Sequence, residues 1–138
     1  MAALDYIHNT VKSALVKDGW TITADPLLLS TKDITLRVDL AAERAIAAEK
    51  AGRRIAVEVK SFLGHSQITD FERALGQYEL YRSLLERTKA DRKLYLAVPS
   101  DTFAEFFQLE TIEYVVDRHD LAILVIDVQK EQVVKWTR

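Results

Sequence analysis

The sequence predicts an α/β fold in a single domain, residues 1–138, with a mixed β-sheet flanked by helices. Three observations predict it. Segments rich in β-branched residues (34–40, 53–61, 93–98 and 121–127) are interspersed with segments of helical periodicity (3–18, 69–85 and 102–117). Ala51-Gly52 sits between two strand-like segments, as the turn of an antiparallel hairpin. A helical stretch separates 93–98 from 121–127, and a strand–helix–strand crossover makes its two strands parallel. Antiparallel and parallel pairs together make the sheet mixed.

Each element has its own justification. Leu4, Ile7, Val11, Ala14 and Leu15 recur at helical spacing over 3–18, with His8 and Lys12 at the margin of the stripe and Gly19 as the stop. Residues 20–24 read as a first strand, ended by Asp25-Pro26. Residues 27–32 are a short strand or a loop. Residues 34–40 form a second strand, with Asp39 near its end. Ala45 to Lys50 is one arm of a hairpin, although its alanines also suit a helix. The other arm is Arg53 to Ser61, with Ile55, Val57 and Val59 on one face and Ala56, Glu58 and Lys60 on the other. Thr69 opens the next helix, with Glu72 three residues on as in a capping box. Phe71, Ala74, Leu75, Tyr78 and Leu85 make its apolar face. Lys93 to Val98 is a buried strand ended by Pro99, and 102–117 is helical in pieces anchored by Phe103, Phe106 and Phe107. Leu121 to Asp127 is a second buried strand, and Gln132 to Thr137 an edge strand.

Composition narrows the function. With 138 residues the chain can bury a proper core. It has no cysteine, which excludes disulfides and thiolate metal sites. The N-terminal stretch has mixed polarity, unlike a signal peptide, and no apolar run reaches the length of a membrane span, so a cytoplasmic protein with no membrane partner is expected. The net charge of −2 argues against a protein that holds DNA by its overall field. A nucleic-acid role would need a local patch, a partner subunit or a divalent ion.

The chemistry gathers on Asp39, Glu58 and Lys60. A carboxylate and an ammonium on one face of a buried strand are costly unless compensated. They can pair with each other, with Asp39 capping a strand end, or they can serve a metal. Two carboxylates from neighbouring strands suit Mg²⁺ (or Mn²⁺), with the Val59 carbonyl as a further ligand. Such an ion would polarise a phosphodiester and acidify a bound water, with Lys60 orienting that water or stabilising charge on the phosphate. Gln77 and Tyr81, at i and i+4, share a helix face and can reach a site above the sheet, or can simply edge the apolar stripe. His8 is a ligand candidate or a structural histidine, and His65 a site approach or a solvated loop residue. Lys50, Arg53 and Arg54 are a solvated hairpin tip or a phosphate contact beside the cleft. Scattered histidines and no cysteine exclude a zinc set, and no phosphate-binding glycine loop or nucleophile elbow is present.

Asp39, Glu58-Val59-Lys60, then Gln77 and Tyr81 resemble the PD-(D/E)xK nuclease superfamily and its subset with a Gln-x-x-x-Tyr motif on the following helix. The resemblance implies a restriction-endonuclease-like fold. It also implies metal ligation by Asp39, Glu58 and Val59, and catalysis by Asp39, Glu58 and Lys60 supported by Gln77 and Tyr81. In resolvase-like members a Glu on the first helix joins the metal; His8 occupies the comparable place here, and Val38 stands where a Pro precedes the Asp. Longer runs, Val11 to Thr23, Ile55 to Phe62, Ala74 to Tyr78 and Leu94 to Pro99, resemble the XisH family of cyanobacterial excision controlling factors, which act on a DNA element removed during heterocyst development. That resemblance implies control of site-specific DNA rearrangement alongside a small partner, XisI. A recombinase carries out the excision chemistry in that system.

The expected function is therefore control of DNA-element excision by a Mg²⁺-dependent endonuclease acting on DNA. The alternatives are a non-catalytic accessory protein binding DNA or XisI, and the nuclease half of a two-gene toxin or defence pair. By analogy with nucleases of this fold that dimerise to cut two strands, a homodimer is among the expected assemblies.

Overall fold

The computed structural model describes residues 2–33, 35–36, 45–88 and 90–138. Helix α1 (Ala2–Lys17) leads to β1 (Thr21–Ala24), β2 (Leu29–Ser30), β3 (Thr35–Leu36), β4 (Ala45–Lys50) and β5 (Arg53–Val59). Helix α2 (Gln67–Arg87), β6 (Lys93–Pro99), α3 (Ser100–Glu105), a 3-10 turn (Phe106–Gln108) and α4 (Glu110–Arg118) follow, then β7 (Ile123–Asp127) and β8 (Gln132–Thr137).

Among the described residues, six strands form one sheet in the order β1-β4-β5-β6-β7-β8. The β5–β6 and β6–β7 pairs are parallel and the rest antiparallel, so the sheet is mixed as predicted. The β4–β5 hairpin pairs Lys50 with Arg53 and Ala45 with Glu58. Its turn residues, Ala51 (φ 51°) and Gly52 (φ 81°), both take positive φ, the conformation whose twist matches the flanking strands. Strand β8 is the edge strand anticipated for 132–137.

The sheet is covered on both faces. Ile7, Val11, Ala14 and Leu15 of α1, with Trp20, bury Ile46, Ile55, Val57, Val59, Tyr95, Leu124 and Ile126. Phe71, Ala74, Tyr78, Tyr81 and Leu85 of α2, with Phe106 and Phe107, bury Ala56, Leu94, Leu96, Val98, Ile123 and Val125. Two-sided burial explains the unbroken apolar runs of β6 and β7, because the crossover helices lie over one face and α1 over the other.

The helix ends obey local rules. Gly19 (φ 92°) closes α1: its N–H donates to the Val16 carbonyl, and the Trp20 N–H donates to the Leu15 carbonyl. The cap of α2 corrects the sequence expectation. Ser66, not Thr69, is the N-cap, and its hydroxyl accepts from the Thr69 N–H at 3.2 Å. The strand expected over 34–40 is described only at Thr35–Leu36, which pairs with β2 in a separate two-stranded sheet. Asp39 lies outside the described residues. Pro99 belongs to β6 instead of standing just beyond it.

One polar contact ties α2 to the sheet. The buried Tyr78 hydroxyl donates to the Leu94 carbonyl at 3.0 Å and accepts from the Ala122 N–H at 3.2 Å. Tyr78→Phe keeps the ring but leaves buried backbone groups without that partner, a loss of about 1–3 kcal/mol. The expected outcome is a lower urea midpoint with an unchanged slope; an unaltered midpoint would refute it.

Candidate functional site

Alternation along β5 decides where Glu58 points. Val57 and Val59 join the core under α1, and Ala56 joins the core under α2. Glu58 shares the Ala56 face, so its carboxylate lies on the α2 side. In register it stands between Ala45 of β4 and Leu96 of β6, at the centre of the sheet. Lys60 follows just past the strand, where its N–H extends the ladder to the Ala97 carbonyl at 3.0 Å. The Lys60 ammonium comes within 3.8 Å of Glu58 Oε2. Both residues are almost fully buried, Glu58 at 1% and Lys60 at 3% exposure. Burying two charges costs several kcal/mol each before their attraction is counted, and that is a weak way to gain stability. Such a pair in an otherwise apolar strand is a site candidate on physical grounds.

Helix α2 supplies the other predicted residues. Tyr81 is buried among its apolar contacts, next to Tyr78 on the sheet-facing side. Gln77 is half-buried, and its Oε1 is sealed from solvent with no hydrogen-bond partner among the described residues. An amide oxygen in that state is a ready acceptor for a donor or a cation. The chain leaves the site by a strained turn: Phe62 has φ 57° while its ring packs edge-on against Phe107.

His8 goes elsewhere. It is buried on α1, and its Nε2 lies 2.8 Å from Asp25 Oδ1, while Lys12 one turn along donates to Asp25 Oδ2 at 2.7 Å. Helix α1 covers the sheet face opposite the one that carries Glu58. Among the described residues, no three His, Asp or Glu side chains gather into a metal-holding group. His65 is exposed in the loop before α2. Lys50, Arg53 and Arg54 are at the opposite end of β5 from Glu58 and Lys60, not beside the site as their sharper interpretation required.

A cleft of about 880 Å³ opens at the C-terminal ends of β5, β6 and β7. Ser61, Phe62, Pro99, Thr102 and Val128 line it together with three carboxylates, Asp101, Glu105 and Asp127, and Ile7 of α1. It begins at the residue after Lys60, yet Glu58 and Lys60 are not part of its wall. No sequence motif pointed to these carboxylates, because Asp101 and Glu105 on α3 meet Asp127 at the end of β7 only through the fold. Carboxyl ends of parallel strands are where α/β sheets bind ligands.

Asp25 was legible in the sequence only as a strand stop, and the structure makes it the hub of a charged trio. Burial pushes its carboxyl up, but the Lys12 and His8 hydrogen bonds and charges outweigh that and hold it below its ordinary value of 3.8. A depressed carboxylate contributes stability above its unfolded pKa and loses it as pH falls through the folded one. Stability should therefore decline on acidification through and below pH 4, more gently in Asp25→Asn than in the wild type. Urea unfolding between pH 3 and 6 checks this, and parallel curves for the two proteins would refute it.

Known proteins complete the picture. The family model for XisH protein matches residues 1–134. A crystal structure of an fdxN element excision controlling factor protein from Anabaena variabilis is 44% identical, covering 97% of this chain and 99% of that one, with a TM-score of 0.90. A crystal structure of an XisH family protein from Nostoc punctiforme is 43% identical, covering 96% and 99% of the two chains, with a TM-score of 0.89. Among curated proteins, none matches. With a family match over nearly its whole length and the same fold, this chain belongs to the XisH family.

Proposed function

We propose that this protein acts in the control of DNA-element excision and does so as a divalent-ion-dependent endonuclease of the PD-(D/E)xK type. Membership of the XisH family and likeness to an excision controlling factor support the first half. The second half rests on one observation, the Glu58–Lys60 pair buried 3.8 Å apart at the centre of the sheet.

The donor chemistry suits a hard cation. Glu58 offers carboxylate oxygens, Gln77 Oε1 is a buried acceptor with no partner among the described residues, and the Val59 carbonyl and Asp39 are the further ligands this reading needs. His8, held by Asp25 on α1, stands outside this set. A bound Mg²⁺ or Mn²⁺ would supply Lewis acidity toward a phosphodiester and a water acidified toward neutral pH. Lys60 would hold positive charge where the phosphate gains negative charge, in a dry site where that attraction is strong. Tyr81 and Gln77, fixed on α2, would position these groups.

A second reading has its own support. Glu58 and Lys60 are nearly closed to solvent, and the adjoining cleft carries carboxylates that repel a phosphate backbone. Both observations favour an accessory protein that engages DNA or an XisI-like partner, without cutting, on a nuclease-derived fold.

Cleavage of supercoiled, linear and branched DNA with Mg²⁺ or Mn²⁺, with and without the XisI-like partner, separates the readings. The expected outcome is cutting by the wild type, with losses of 100-fold or more (on the order of 10²–10³ for a removed charge-stabilising group) in Glu58→Ala and Lys60→Ala. Asp39→Ala should weaken divalent-ion binding measured by calorimetry. No cutting on any substrate, with unchanged ion affinity in Asp39→Ala, would leave the accessory reading.

A further inference from the structure

The charge of this chain is segregated along the strands. The cleft beside Lys60 holds Asp101, Glu105 and Asp127 and, among the residues that line it, no lysine or arginine. The other end of the same strands is basic. Lys50 ends β4, Arg53 and Arg54 begin β5, and Arg92 and Lys93 introduce β6; the three strands are hydrogen-bonded neighbours, with Lys50 opposite Arg53 and Ile55 beside Lys93. Five cations thus cap the ends of adjacent strands spaced about 4.8 Å apart, Lys50, Arg53 and Lys93 toward the α1 face and Arg54 and Arg92 toward the α2 face. Along β5, Glu58 lies four residues from Arg54 and five from Arg53, roughly 13–17 Å, and Lys60 two residues further.

Few counter-charges answer the row. Lys50 has Asp18 at 3.8 Å, and Arg54 has Glu49 at 3.9 Å. Arg53, Arg92 and Lys93 have no carboxylate within ion-pair distance among the described residues. Arg53 lies over the Trp20 ring at 5.7 Å and Lys93 over the Tyr95 ring at 5.2 Å. Arg92 gives one N–H to the Ile55 carbonyl at 3.1 Å, which leaves most of its five donors uncommitted. Burial, and then the like charge of Arg54, depress the Arg92 pKa, so two guanidiniums are crowded together without full compensation. All but the half-buried Arg92 are exposed. The rings order the cations from beneath, which lowers the entropy they lose on meeting a ligand.

We propose that Lys50, Arg53, Arg54, Arg92 and Lys93 form a docking edge for the phosphate backbone of duplex DNA, separate from the Glu58–Lys60 site. A row of fixed cations crossing several strands matches a repeating polyanion better than a single small anion. The choice of DNA among polyanions rests on the excision reading above; the basic edge itself does not depend on nuclease activity. Backbone contacts of this kind position a duplex and carry no sequence preference. They also let a protein of net charge −2 hold DNA locally, with its acidic end turned away.

The test is fluorescence anisotropy with a short duplex, without divalent ion, from 25 to 200 mM salt, using the full chain. The wild type should bind with affinity that falls steeply with salt. Arg53→Gln and Arg54→Gln, both at exposed positions, should each weaken binding several-fold and reduce the log–log salt slope by about 1. Arg92→Gln should do the same, and Lys130→Gln, an exposed cation on the distant β7–β8 turn, should not. Absence of binding by the wild type at 25 mM salt, or losses in Arg53→Gln and Arg54→Gln no larger than in Lys130→Gln, would overturn the proposal. Glu58→Gln separates it from the nuclease reading. Binding retained in that variant with cutting lost is the result both readings predict, a wild type that binds but cuts no substrate sinks only the nuclease, and binding lost in Glu58→Gln, with the fold intact by circular dichroism, shows that the edge is not an independent surface.

Discussion

Three parallel strands, β5, β6 and β7, are buried on both faces, and the remainder of the molecule is arranged to keep them so. A parallel pair needs a crossover, and each crossover lays helix over a face. Helix α2 makes the first; α3, the 3-10 turn and α4 make the second. Those segments cover one side, and α1 with Trp20 covers the other. The antiparallel flanks, β4 with β1 and β8, finish the sheet without needing further crossovers.

In that setting a charged residue on β5 is an exception with consequences. Every other buried position of the strand is apolar, yet Glu58 stands in its interior with Lys60 as a close neighbour. Replacing such a pair by well-packed apolar groups is often neutral or favourable, so stability alone does not explain its presence. The positive φ of Phe62, two residues past Lys60, adds backbone strain to the same stretch, and α2 carries the sealed Gln77 oxygen. Together they mark the C-terminal end of β5 as the place where packing yields to chemistry.

The two ends of the strands therefore differ in kind. One carries the buried pair and an acidic cleft, and the other a row of exposed cations steadied by aromatic rings. The net charge of −2 conceals this, because it sums over the whole chain. A duplex held along the basic edge of one protomer would lie roughly 13–17 Å from its Glu58 along the strand, which is compatible with an accessory role or with a site completed by another molecule.

Much of the architecture was legible in the sequence. The apolar stripe of α1, the Ala51-Gly52 hairpin, the unbroken apolar runs of β6 and β7 and the edge position of β8 all follow from periodicity and turn chemistry, which act over a few residues. The positions of Glu58 and Lys60 on one face of a covered strand were legible for the same reason, since alternation is local. Tertiary structure decided what depends on contacts far apart in sequence. The capping of α2 by Ser66 in place of Thr69 is, by contrast, a local contact three residues long. Asp25, read as a strand stop, became the partner of His8 and Lys12 once β1 was laid beside α1. The arginines of the hairpin tip gained Arg92 and Lys93 as neighbours only through the parallel pairing of β5 with β6, a juxtaposition of residues some forty positions apart that no local pattern encodes.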